Sequence, residues 1–125
     1  MQTTSESPKG LLPLTPAVFH IMLALMDQER HGYGIMKEVE SQTQGEMLLR
    51  AGTLYQAIKR MLELGLIEES AERPDPKMDD ERRRYYKLSG LGHKVARGEE
   101  ERLRKLLQIA RTKQKLSAAR QEWSA

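Results

Sequence analysis

Residues 52–67 read GTLYQAIKRMLELGLI, and the way this stretch projects decides the fold. At about 100° per residue, Leu54, Ile58, Met61 and Leu62 gather on one side of a helix. Gln56, Lys59, Arg60 and Glu63 fall opposite, with Tyr55 on the flank. The segment is therefore an amphipathic helix starting near Gly52-Thr53, with one face to bury and one polar face to present. Gly65 ends it, because glycine reaches the left-handed backbone conformation that closes a helix at no steric cost. Leu66 to Ser70 then read as a short strand.

Working upstream, Thr15-Pro16 is a helix start, with Thr15 as the N-cap and the proline at the first helical position, where its missing N–H costs nothing. Val18, Ile21, Met22, Leu25 and Met26 recur at helical spacing over about residues 15–27, and the polar run Asp27 to Arg30 closes that helix. A second helix is predicted over Gly32 to Thr43, with Tyr33, Ile35, Met36 and Val39 as apolar contacts and Gly45 as its stop. Residues 1–13 read as a flexible arm.

Downstream, residues 73–80 hold two prolines and several turn formers, so they form a loop. Arg84 to Leu88 restores strand character, which makes a two-stranded hairpin with a projecting tip. Tyr85 and Tyr86 alternate faces, so at least one belongs to the core, and Tyr86 is assigned there. From Ser89 to about Arg120 the pattern is helical again. Leu88, Leu91, Val95, Leu103, Leu106, Ile109 and Ala110 share one stripe, interrupted by Gly98, Glu99 and Arg102. Glu99 and Arg102, three residues apart, read as a pair worth only about 0.2–0.5 kcal/mol. A helix of roughly 30 residues is about 45 Å long, too long for the preceding globule to cover. A homodimer through Leu91, Val95, Leu103, Leu106 and Ala110 is the simplest remedy. The chain thus divides into an arm (1–13), a mainly helical domain with a β wing (14–88) and a dimerisation helix with its tail (89–125).

Composition narrows the function classes. The chain has 125 residues, is 38% hydrophobic and carries a net charge of +3. Residues 1–70 hold 6 basic and 9 acidic side chains, and residues 71–125 hold 15 and 9, so the basic excess lies in the C-terminal half. With no cysteine there is no disulfide framework, thiolate nucleophile or cysteine-based zinc site. His20, His31 and His93 lack metal-ligand spacing, and His31 reads as a cap near the second helix. No cofactor is called for. No signal peptide or membrane-length apolar run occurs, so a cytoplasmic protein is expected. An enzyme is not expected either: no paired carboxylates, glycine-rich phosphate loop or nucleophile with a nearby base is present.

Three helices followed by a hairpin is the order of a winged helix-turn-helix, whose third helix enters the major groove of duplex DNA. Here that helix offers Thr53, Tyr55, Gln56, Lys59 and Arg60, while Lys77, Arg82, Arg83 and Arg84 flank the wing. Glutamine pairs with adenine, and arginine or lysine with guanine. The arginines suit phosphates, whose counterion release makes affinity salt-dependent. The alternative is a winged-helix module that uses its long helix for a protein partner and never meets DNA.

The same residues carry a family resemblance. His31-Gly32-Tyr33-Gly34-Ile35 resembles the HGYxI element of PadR-type transcriptional regulators. Gly52-Thr53-Leu54-Tyr55, Ala57 to Met61 and Gly65-Leu66-Ile67 are similar to that family's recognition-helix segment. Arg83 to Ser89, with Gly92 following, resembles its second wing strand. Gln56 stands at a position often held by proline in that family. The resemblance runs from about Leu14 to Val95 and points to the smaller branch, with a single C-terminal helix. It implies a homodimeric repressor on a palindromic DNA operator, frequently relieved by a small effector such as a planar aromatic compound.

Overall fold

The computed structural model describes residues 8–70 and 84–124. After a 3₁₀ turn at Pro8–Leu11 come α1 (Pro16–Met26), β1 (Arg30–His31), α2 (Gly32–Gln42), α3 (Ala51–Glu63), β2 (Ile67–Ser70), β3 (Tyr85–Leu88) and α4 (Gly90–Ser124). The architecture is the expected one, mainly helical with a small antiparallel wing sheet and a long C-terminal helix. Thr15 caps α1, its hydroxyl accepting the Val18 N–H at 3.2 Å. Ile21, Met22 and Leu25 turn inward, and α1 lies between α2, α3, β3 and α4. Ile35 and Val39 of α2, Leu54 and Met61 of α3, Leu66 and Val95 complete the core. No helix among the described residues is long and apolar enough to cross a membrane.

The sheet has three strands where two were expected, in the order β1-β3-β2. Arg30 pairs with Tyr86 and His31 with Tyr85 across β1 and β3. Two residues have no periodicity to read, and the polar run before them looks like a helix stop. Their pairing makes β3 the central strand, so Tyr85 is buried as well as Tyr86. The His31 ring stands edge-on to Tyr85 at 5.1 Å. Arg30 braces the same corner: its Nε donates to the Ala24 carbonyl at 2.7 Å, and its Nη2 lies 3.4 Å from carboxylates of both Asp27 and Glu38.

Helix α3 ends in a double hydrogen bond around Gly65, whose φ is +76°. The Leu66 N–H reaches the Met61 carbonyl at 2.9 Å, and the Gly65 N–H reaches that of Leu62 at 3.1 Å. The start of α4 is tied to this turn. Ser89 donates its hydroxyl to the Gly65 carbonyl and its N–H to that of Leu66, and its Oγ accepts the Gly92 N–H at 2.9 Å. A Cβ on Gly92 would overlap the Leu66 carbonyl oxygen, so only glycine allows this approach.

Three side chains depart from the helical-wheel reading. Leu62 and Met26 are largely exposed, and so is Tyr33. Leu62 lies at the edge of the buried arc, about 40° beyond Ile58. Val95, expected in the dimer stripe, is wholly buried in the protomer's own core, and Leu91 is half-buried against it. The first three turns of α4 are thus spent on the protomer itself. At 35 residues the helix is about 52 Å long, and every described side chain from Leu103 to Glu122 is exposed.

Glu99 forms the expected pair with Arg102, but from a buried position, at 3% exposure. Arg102 grips both of its carboxylate oxygens, at 2.9 and 2.7 Å, and the Leu14 N–H points to Oε1 at 3.4 Å. The Arg102 hydrogen bonds hold the carboxyl below the usual carboxylate range, with Leu14 adding to them, although burial pulls the other way. Its folded-state pKa is therefore depressed. The stability it contributes is present above the unfolded value of about 4.3 and is lost as pH falls through the folded one. Glu99→Gln is expected to flatten the acid limb of the stability profile below about pH 4.3. Urea midpoints measured from pH 3 to 6 check this, and parallel limbs for the two proteins would refute it.

Candidate nucleic-acid interface

The candidate surface is built on α3, whose inner face is consumed by the core. Leu54, Ile58 and Met61 are 2% exposed or less, which fixes the rotation of the helix about its axis. Thr53, Tyr55, Gln56, Lys59 and Arg60 are consequently all exposed. Arg60 keeps 68% of its side chain in solvent, with only a 4.0 Å approach to Glu63, a surface pairing of little energetic weight. No side chain caps the start of α3, where Arg50 occupies the N-cap position. The N–H groups of its first turn are thus open to an anion, with the positive end of the helix dipole behind them.

Tyr55 is placed by a glycine that the sequence reading passed over. A Cβ on Gly32 would stand 2.5 Å from the Tyr55 hydroxyl oxygen, so the bare Cα at the start of α2 is what seats the phenol. The motif reading singled out Gly32 only as part of a resemblance. Its physical reason is a contact between residues 23 positions apart, which no local pattern displays. Tyr33, next along the chain, is 55% exposed, with its ring 6.5 Å from that of His31 and the Lys37 ammonium 5.7 Å from its centroid. His31 caps α2 as expected, its Nδ1 accepting the Gly34 N–H at 3.0 Å. Tyr33 and Lys37 are thus exposed on α2, although Tyr33 was expected to pack inward.

On the wing, Arg84 is exposed just before β3, with its guanidinium 4.0 Å from the Glu69 carboxylate. Lys77, Arg82 and Arg83 lie outside the described residues. Among the described residues no group of three His, Cys, Asp or Glu could hold a metal ion. The chemistry on offer is hydrogen bonding and cationic attraction from one helix face, suited to a polyanion with polar edges.

Gly32→Ala is expected to push the Tyr55 ring aside at a cost of roughly 1 kcal/mol, and Tyr55→Ala is expected to relieve that cost. Chemical unfolding of both single variants and the double variant tests the coupling. Equal costs of Gly32→Ala in the two backgrounds would show that the pair does not interact.

Comparison with known proteins places this geometry in context. Residues 21–98 match the model of the transcriptional regulator PadR-like family. The structure is similar to that of a transcriptional regulator from Clostridium thermocellum, with a TM-score of 0.63 and 21% identity over 89% of this chain and 97% of the other. It is also similar to a PadR family transcription regulator from hypervirulent Clostridium difficile, with a TM-score of 0.65 and 24% identity over 78% of this chain and 97% of that one. At these identities the likeness is one of fold. Among curated proteins none matches.

Proposed function

The chain belongs to the PadR-like family of transcriptional regulators, a family of regulators rather than enzymes, and on that premise we propose that it is a homodimeric, sequence-specific DNA-binding repressor. The observation that carries the reading is the outward face of α3. Gln56, Lys59 and Arg60 stand in solvent on a helix whose opposite side is locked into the core. Laid in a major groove, that face presents an adenine-reading amide and two guanine- or phosphate-binding cations. Thr53 and Tyr55 sit near the uncapped helix start, where a backbone phosphate is favoured. The wing, through Lys77, Arg82, Arg83 and Arg84, reaches the adjacent backbone. Repression, with relief by a small planar effector, is the sense that the family resemblance supplies, and it goes with a cytoplasmic location.

The dimer is carried by α4. Leu103, Leu106, Leu107, Ile109 and Leu116 are each between 39% and 60% exposed in the single chain, apolar surface that water does not favour. Leu103, Leu106 and Ala110 form the seam, joined by Leu107, which the stripe reading omitted. Two-fold symmetry then requires a palindromic operator with half-sites about 10 base pairs apart or a multiple of that.

Lys59→Ala combined with Arg60→Ala is expected to weaken binding to the selected operator by at least about tenfold, through lost base and phosphate contacts. Selection of bound sequences from random duplexes, repeated at two salt concentrations, supplies the operator and the phosphate share. Undiminished affinity of the double variant at moderate salt would disprove the assignment. In the same way, Leu103→Lys with Leu106→Lys should give a folded monomer by light scattering. A variant that stays dimeric would move the interface elsewhere.

A further inference from the structure

Two neighbouring residues of α4 belong neither to the wing nor to the reading face, and they meet the same segment. Gly98 sits in the interior of a long helix, where glycine costs about 1 kcal/mol relative to alanine. Glu99, the next residue, is buried with its carboxylate held by Arg102. Both face the segment that precedes α1. A Cβ on Gly98 would stand 3.2 Å from the Leu12 methyl group, tighter than ordinary packing, and the Leu14 N–H points at Glu99 Oε1. Leu11, Leu12 and Leu14 are half-buried against the core, and the 3₁₀ turn Pro8–Leu11 lies along α4.

We propose that residues 8–14 are a strut that sets the direction in which α4 leaves the winged helix, and so positions the two reading faces of the dimer for one operator spacing. The proposal rests on the dimeric DNA-binding reading above. Helix α4 is pinned at its start by the Ser89 hydroxyl and the Gly92 contact with Leu66. Val95 and Ala96 seat the next turn in the core, and beyond them the rod is free to tilt unless a further contact holds it. A second contact at Gly98 and Glu99, about 12 Å along at 1.5 Å per residue, removes that freedom. The lever is long enough to matter. A tilt of 10° about Gly90 moves Leu106, about 24 Å away, by about 4 Å, more than the ~3.4 Å rise of one base pair along a strand. Gly98 and the buried Glu99 break the apolar stripe because this turn receives the strut, leaving the seam to begin at Leu103.

Because the natural chain has no cysteine, two labels report the angle directly. Nitroxides on Glu40→Cys in α2 and Gln114→Cys in α4, with the labelled protein diluted into unlabelled chain, give the distance within one protomer. Two variants disturb the strut by different routes. Gly98→Leu introduces a strong helix former while evicting Leu12, and Leu11→Ser with Leu12→Ser removes its apolar hold. Each is expected to shift the distance by several ångströms or to broaden its distribution about twofold, as looser docking implies. Unchanged distributions in both variants would overturn the proposal, whether or not the protein binds DNA. In the second measurement, duplexes carry the selected half-sites with spacers varied one base pair at a time. The wild-type preference for one spacing, at least about tenfold, should fall to about twofold in the variants, as when a rigid link becomes loose, with affinity for a single half-site unchanged. A spacing profile as sharp as that of the wild type would confine the segment to stability and overturn the positioning role. Failure of the wild-type chain to bind any duplex would sink the functional reading itself, while the label distances still decide the strut.

Discussion

The carbonyl group of Leu66 is where α3, the wing and the long helix are joined. It accepts the Ser89 N–H at 3.0 Å, and the bare Cα of Gly92 packs directly on it. One residue earlier, the left-handed turn at Gly65 ends α3 and offers its own carbonyl to the Ser89 hydroxyl. Three chain segments therefore share a few polar atoms in a partly buried corner, where an unmade hydrogen bond is costly. Displacement of this corner would shift the polar face of α3, the strands of the wing and the root of α4 together. The interface and the proposed seam thus depend on a contact that belongs to neither.

The rest of the molecule extends from that corner with different degrees of support. Near it, aliphatic packing is complete: Ile21, Met22, Ile35, Val39, Leu54, Met61 and Val95 have no exposed surface. Away from it, α4 runs on with Leu106, Leu107, Ile109 and Leu116 in solvent. Such a helix gains little from its own propensity and depends on tertiary contact. Its stretch from Arg102 to Arg120 carries seven basic and no acidic side chains, so any seam along it brings cations towards cations at its flanks. A defined direction of exit from the globule has consequences for the proposed pairing as well as for the proposed contact with DNA.

The elements legible in the sequence were those whose signal is local. Thr15, Gly45 and Gly65 marked ends that the backbone respects, and the period of α3 identified its buried and polar faces before any packing was known. His31 was readable as a cap because a side-chain acceptor just before a helix has few other uses. The departures were of another kind. Strand β1 has only two residues, and its presence turns β3 from an edge into a centre, burying Tyr85 as well as Tyr86. Val95 belonged to the right stripe but faced the protomer's own core. Leu62 missed burial by a modest rotation on the helical wheel. In the candidate site, Thr53, Tyr55, Gln56, Lys59, Arg60 and Arg84 are exposed, as a binding face requires. The glycine that seats Tyr55 could not be recognised from residues near either partner.

The uneven charge along the chain was a weaker guide than the periodicity of one 16-residue stretch. The polar face of α3 lies in the acidic half, and much of the basic excess lies on α4. By itself the sequence determined the helices, most of their ends, the hairpin of β2 and β3 and the outward residues of α3, because hydrogen-bonding periodicity and glycine stereochemistry act within a few residues. Only the tertiary structure decided which apolar side chains were already used within one protomer. It also decided which glycines are required by a neighbour's approach and where α4 is held. Those outcomes depend on surfaces brought together from distant parts of the chain, and burial is a property of such pairs of surfaces rather than of any one segment.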